Sequence, residues 1–200
     1  MKNWKYIWMA VILFPLMGIV SSCTEDETEE GEFANWQQKN EAVTDQWAAN
    51  SSYQKILTYS KDATNPYITN ADYIYVEVLE SGSGTETPLF TDTCRVAYRG
   101  HYIPTKSYAD GYVFDQSYLG DFDWTTAGTA SGSSWVEGFS TALQHMHVGD
   151  RWRIRIPYQL GYGTSGNSTG NISGYTNLVF EVALYDFWHP GEKRPVFKSR

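Results

Sequence analysis

The 200-residue sequence predicts an α+β fold: an antiparallel β-sheet with one short central helix, preceded by a helical appendage. Three observations point there. Large apolar residues recur at helical spacing early in the chain, at Phe33, Trp36, Val43 and Trp47. Beyond Asn65-Pro66 the pattern switches to alternation with a period of two. Within that alternating stretch only residues 139–146 return to helical spacing. Composition agrees, since 42% hydrophobic, 19% charged and 16% aromatic residues describe a chain that folds, as one compact domain with at most a small appendage. The formal charge of −8 and the pI near 4.9 repel a polyphosphate backbone and exclude nucleic acid as a partner.

The chain opens with an export signal over residues 1–22. Lys2 and Lys5 precede an apolar run, residues 6–20, that carries no charge. Alone, the run is close to the length of a membrane-spanning helix. Val20, Ser21, Ser22 and Cys23, however, resemble the lipobox of bacterial lipoproteins, in which the cysteine thiol is diacylglycerylated and becomes the first mature residue. That resemblance implies lipidation at Cys23 and stable membrane attachment through two or three acyl chains, at about 0.8 kcal/mol per buried methylene. Residues 23–32 carry Glu25, Asp26, Glu27, Glu29, Glu30 and Glu32, too much like charge to fold, and read as a solvated tether. Such an acidic tract also resembles a signal for export to the outer face of the outer membrane.

Residues 33–65 are expected to be helical. The Phe33, Trp36, Val43 and Trp47 stripe forms one apolar face, Asn50, Ser51 and Ser52 interrupt it, and a second short helix carries Tyr53, Ile56 and Leu57. The stripe either docks on the main domain or pairs with a second copy. From residue 66 to 188 strands dominate. Ile74, Val76 and Val78 share a parity and end at Ser81-Gly82-Ser83-Gly84; Cys94, Val96 and Tyr98 share another, opposite Arg95 and Arg99. Val113, Phe114 and Asp115 make a short strand. In residues 151–156 three arginines alternate with Trp152, Ile154 and Ile156, the mark of a sheet buried on one face. Residues 177–187 close the set, and Phe139, Leu143 and Met146 put the one helix of this region against the core. Residues 189–200, with Pro190 and Pro195, read as a partly ordered tail.

Several short runs carry a family resemblance. Val96-Ala97-Tyr98-Arg99-Gly100, Val113-Phe114-Asp115-Gln116-Ser117, Val136-Glu137-Gly138-Phe139, Val148-Gly149-Asp150, Gly161-Tyr162-Gly163, and Ile172 with residues 177–182 occur in the order seen in FK506-binding-type (FKBP) peptidyl-prolyl isomerases. The similarity covers roughly residues 73–187. It implies a curved antiparallel sheet wrapped around the short helix, proline-containing polypeptides as substrates, a macrolide of the FK506 type as a possible ligand and no cofactor. In a lipid-anchored member it further implies a place at the bacterial cell envelope, with the outer membrane as the expected site. Some relatives dimerise through an N-terminal helix, which implies homodimerisation for residues 33–65.

Prolyl isomerisation must cross the ~18–20 kcal/mol barrier of amide resonance, and it needs neither a nucleophile nor a metal. A dry cavity that fits the twisted amide better than either planar form lowers that barrier. Matched residue by residue to the family, Tyr98, Phe114, Asp115, Phe122, Val136, Phe139, Tyr162, Ile172 and Phe180 fall at pocket positions. The resemblance makes Phe139 the floor and Tyr98, Phe114 and Phe180 the walls. It makes Asp115 the partner of the Tyr98 hydroxyl, and the Tyr162 hydroxyl and the Val136 N–H the binders of substrate carbonyls. Phe122 and Ile172 complete the substrate contacts, with Trp124 as the rival of Phe122 because residues 124–135 are longer and richer in Gly, Ser and Thr than usual. The floor is commonly Trp in the family, so Phe139 leaves a deeper site. After Ile172 the usual Pro-rich pair is replaced by Ser173-Gly174-Tyr175.

Other motifs carry less. Residues 166–170 match G-x-S-x-G, but the nucleophile elbow needs a strand before it and a helix after it, and here a Gly-rich loop runs into a strand. His145 and His147 have no third ligand at matching spacing, so no metal is expected. With Cys23 lipidated, Cys94 is left as a small core group. Two other functions fit parts of the sequence: an FKBP-fold chaperone or binding module without useful catalysis, and a glycan-binding surface lipoprotein whose 8 Trp and 15 Tyr stack on sugars.

Overall fold

The computed structural model describes residues 31–124, 128–131, 134–193 and 196. The expected leader, Cys23 and most of the acidic tract lie outside the described residues, as does most of the end of the tail. Among the described residues no helix is long and apolar enough to cross a membrane.

The chain forms α1 (Trp36–Ala49), β1 (Gln54–Leu57), β2 (Tyr73–Glu80), β3 (Thr93–Tyr102), β4 (Val113–Gln116), β5 (Gly128–Ser131), α2 (Glu137–Leu143), β6 (Arg151–Ile156) and β7 (Leu178–Trp188). The strands make a seven-stranded sheet, in the order β1-β2-β6-β7-β3-β4 with β5 also paired to β3. Every pairing is antiparallel. Register shifts interrupt three of them, at Val78/Glu80, Arg95/Val96 and Gly100/His101, and such irregularities bend a sheet locally. The α+β expectation and its short central helix hold.

Alternation decides which face is buried. Ile74 and Val76 of β2, Cys94 and Val96 of β3, Ile154 and Ile156 of β6, and Val182 and Leu184 of β7 point inward, all with 1% exposure or less. They pack with Phe139, Ala142, Leu143 and Met146 from α2 and the turn after it. The helix sits close because Gly138 faces the sheet, where a Cβ would run into the Ile156 side chain. Cys94 is fully buried, and desolvation pushes its thiol up to about 12.

The outer face is divided. Arg151 bonds Glu80 at 2.9 Å and also Glu181; Arg155 bonds Glu77 at 2.9 Å, and Arg153 reaches Glu77 at 3.3 Å. The arginine row therefore lies in a carboxylate lattice. At the other end α1 covers the sheet, with Trp36 and Trp47 packed against Tyr75, Ile103 and Val179. A buried polar seam fixes its position. The Trp36 indole donates to Thr176 Oγ1 at 2.8 Å, and the Asn177 amide N–H donates to Asn40 Oδ1 at 2.8 Å. Asn177 Nδ2 donates to Asn40 O and Thr44 Oγ1, and its Oδ1 accepts from the Tyr158 N–H at 2.9 Å.

Three expectations need correction. Residues 54–57 are a strand, not a second helix: Gln54–Leu57 pair with Tyr73–Val76, and that long-range partner overrides the local spacing of Tyr53, Ile56 and Leu57. The buried face of α1 is Trp36, Asn40, Thr44 and Trp47, whereas Phe33 is exposed and Val43 half-buried. Val78 shares the parity of Ile74 and Val76 but is 45% exposed, next to the register shift that ends the regular pairing of β2 with β6.

Candidate active site

The edge-side strands and the start of α2 bring most of the expected pocket residues together. Tyr98 comes from β3, Phe114 and Asp115 from β4, Phe180 from β7 and Phe139 from α2; Tyr162 and Ile172 come from the long connection between β6 and β7. The Phe139 and Phe180 rings meet edge to face at 5.0 Å, and Phe114 meets Phe180 at 5.5 Å and 90°. Tyr98 approaches Phe139 at 6.2 Å and Phe180 at 6.4 Å. The glycine of Val96-Ala97-Tyr98-Arg99-Gly100 makes this possible. A Cβ on Gly100 would lie 2.5 Å from Phe180 Cε1 and 2.6 Å from Phe114 Cζ, so the two rings close over a bare backbone.

Polar groups stand at the rim. The Tyr98 hydroxyl donates to Asp115 Oδ2 at 2.8 Å. Desolvation first, and the Asp115 hydrogen bond and charge after it, raise the Tyr98 phenol well above its ordinary range. It stays protonated and points its proton at the carboxylate. Among the described residues the Tyr162 hydroxyl has no hydrogen-bond partner, so it is open to a ligand. Val136 caps α2 with an extended backbone (φ −59, ψ 152), and its carbonyl accepts from the Phe139 and Ser140 N–H groups. Glu137, next to it, anchors the helix by accepting from Thr58 Oγ1 at 2.7 Å and from Ser60.

Exposure separates the surface from its backing. Tyr98, Phe114, Val136 and Tyr162 are half-buried and Asp115 is exposed, whereas Phe139, Phe180 and Ile172 are 0%, 3% and 4% exposed. The expected floor is therefore covered. Its cover is Trp135, whose indole stacks on Phe139 at 4.3 Å and 19° and meets Tyr98 edge-on at 4.8 Å. Sequence reasoning missed this residue. Trp135 stands one position before the helix cap at Val136, outside the helical spacing that identified Phe139.

Phe122 is a second correction. It packs on the outer face, 5.4 Å from Tyr118 and 5.3 Å from Trp124, with the Arg151 guanidinium 4.3 Å above its ring. The rival Trp124 lies in the same cluster, 4.9 Å from Tyr185. The cause is the small pair Ala97 and Ala183, which leaves a shallow apolar depression on that side of the sheet for these rings to fill. Neither joins the cluster that holds Tyr98, Phe114, Phe139 and Phe180. Ile172 belongs to the same core cluster as Phe139 and Phe180, held by an isolated bridge to Asn167, and the neighbouring Asn171 carbonyl accepts from the Tyr102 hydroxyl.

Residues 166–170 form a turn-rich loop with no helix after them, so no nucleophile elbow is built. Among the described residues no three His, Cys or carboxylate side chains converge as metal ligands. Cavities of about 640 and 660 Å³ flank α1 and share no residue with the ring cluster. Trp36, Trp47, Trp152 and Trp188 are buried and offer no face to a sugar.

Known proteins resemble this chain in the same region. The family model for FKBP-type peptidyl-prolyl cis-trans isomerase matches residues 84–185. A macrophage infectivity potentiator of Trypanosoma cruzi is 28% identical over 193 residues, covering 94% of this chain and 88% of the relative. An FKBP-type 22 kDa peptidyl-prolyl cis-trans isomerase of Escherichia coli is 37% identical over 111 residues, 54% of this chain and 47% of the relative. The chain thus spans most of the first relative and about half of the second. Among solved structures, a peptidyl-prolyl cis-trans isomerase of Pseudomonas syringae superimposes with a TM-score of 0.58 at 24% identity, over 78% of this chain and 95% of that one.

Proposed function

The chain belongs to the FKBP-type peptidyl-prolyl cis-trans isomerase family, and from that premise we propose that it turns X-Pro bonds of exported proteins at the bacterial cell envelope. The hollow bounded by Tyr98, Phe114, Val136 and Tyr162 is the site. The observation that carries this reading is the meeting of the Tyr98, Phe114, Phe139 and Phe180 rings beside a Tyr98 hydroxyl that donates to Asp115.

The chemistry follows from the amide. Planarity is favoured in water because water hydrogen-bonds the charge-separated resonance form, and rings that exclude water remove that support. The Tyr162 hydroxyl donates to a substrate carbonyl flanking the proline, and the Val136 N–H binds a second. Asp115 orients Tyr98 and moves no proton to substrate. Binding the twisted amide better than either planar form accelerates both directions equally.

The test is isomerisation of a proline tetrapeptide by the purified chain. Acceleration that a macrolide of the FK506 type blocks, and that falls at least tenfold in Tyr162→Phe combined with Asp115→Ala, supports the reading. No acceleration refutes it. A second reading, binding without turnover, draws on the complete cover over Phe139; it predicts capture of unfolded protein with no rate effect.

Attachment at the envelope rests on Cys23, and intact-mass measurement of the native N-terminus checks for diacylglycerol there. Homodimerisation through α1 must use its outward Gln37, Glu41 and Asp45 side, since Trp36 and Trp47 are engaged with the sheet. Sedimentation of the full chain distinguishes one copy from two.

A further inference from the structure

We propose that Trp135 is a displaceable plug: in the free chain its indole occupies the place above Phe139 that the prolyl ring takes in the complex, and substrate binds by driving it out. This rests on the isomerase reading and adds to it a residue that controls access. Phe139 has no exposed surface, and what covers its aromatic face is the Trp135 ring, stacked at 4.3 Å. Tyr98, a wall of the same hollow, spends one of its ring contacts on that indole at 4.8 Å. A prolyl ring therefore cannot touch either surface fully while the indole is seated.

A third observation makes the seat reversible. The Trp135 indole N–H is buried and has no hydrogen-bond partner among the described residues. An unmet buried donor carries a standing penalty, so the ring contacts hold the indole in place against it. Turning the ring into water satisfies the donor. The unmet donor thus works against the ring contacts, and a ligand that prefers the open arrangement shifts the population toward it. A prolyl ring is apolar and its nitrogen carries no hydrogen, so it fills the vacated place without orphaning a donor. Trp135 also precedes the helix cap at Val136, and its side chain can rotate without unwinding α2.

Seating the indole lowers apparent affinity by the fraction of chains that are open. Trp135→Ala, which removes the plug, raises kcat/KM for a proline tetrapeptide about tenfold. Trp135→Phe keeps a stacking ring but deletes the unmet donor, so it seats more firmly and kcat/KM falls several-fold. The assay uses the full chain, with circular dichroism confirming the fold. A ¹⁵N-indole resonance assigned to Trp135 by its loss in Trp135→Phe is protected from water exchange in the free chain and loses protection at saturating peptide. A fall in kcat/KM for Trp135→Ala, or a resonance that stays protected in the complex, overturns the plug while leaving the isomerase reading intact. Absence of peptide binding and turnover in both the wild type and Trp135→Ala overturns both. If Trp135→Ala does not fold, the Phe variant and the resonance decide.

Discussion

Gly100→Ala tests whether the aromatic site is built on a bare backbone. The added methyl would lie 2.5 Å from Phe180 Cε1, 2.6 Å from Phe114 Cζ and 2.9 Å from Phe180 Cδ1. Carbon atoms in favourable contact sit about 3.5–4.0 Å apart, so both rings must retreat by roughly 1 Å. Each is held by a neighbour, Phe180 against Phe139 at 5.0 Å and Phe114 stacked on Tyr102 at 5.6 Å. Overpacking of this kind costs about 1–3 kcal/mol, and disturbing the Phe114–Phe180 edge-to-face pair adds up to about 1 kcal/mol. For a domain of this size each kcal/mol lowers Tm by about 2–4 °C, which gives an expected drop of roughly 2–16 °C. Thermal melting by circular dichroism reads the stability, and the tetrapeptide assay reads the site, where kcat/KM should fall at least tenfold because both walls move. A variant that melts within about 1 °C of the wild type with unchanged kcat/KM would refute the claim that these rings close over Gly100.

Two further outcomes follow from the outer face. Phe122→Ala should leave the isomerase rate within about twofold of wild type and cost about 1–2 kcal/mol in urea denaturation, since the ring packs under Arg151 away from the hollow; a large rate loss with intact stability would return Phe122 to the substrate. The hydrogen bond from Arg155, aided by the charge of Arg153, holds the Glu77 carboxyl below its ordinary value of 4.5 against partial desolvation. A lowered folded value stabilises the fold at any pH above 4.5, and that gain is lost as pH falls through the lowered value. The stability gap between wild type and Glu77→Gln should therefore be constant from neutral pH to about 5 and close below it. A gap that does not narrow at all as pH is lowered through the acid range would show that the arginines do not depress this carboxyl.

What the sequence revealed depended on how local the deciding force was. The arginine alternation in residues 151–156 and the apolar spacing of Phe139, Leu143 and Met146 reported their elements because each face meets one environment along its length. Gln54–Leu57 carries no such pattern, since only its pairing with β2 makes it a strand. Asn40 and Thr44 went unread as buried positions because their burial depends on Asn177, more than a hundred residues away. Within the candidate site, the meeting of Tyr98 with Asp115 was legible through motifs on neighbouring strands. Phe122 was not, because an aromatic in a loop chooses its side of the sheet from what the sheet offers, and Ala97 with Ala183 offered a depression on the far side.

The seam between Asn40 and Asn177 has a consequence for how the molecule can be divided. Its amides and carbonyls meet one to one, with both asparagines wholly inaccessible, so sliding α1 by even one turn would break several bonds at once. Cutting α1 away would strand the Asn177 side chain and bare Tyr75 and Val179 together. The helix is therefore masonry in the wall that carries Tyr162 and Ile172, and a chain shortened to the sheet alone would lose the support of the loop between β6 and β7 along with its first fifty residues.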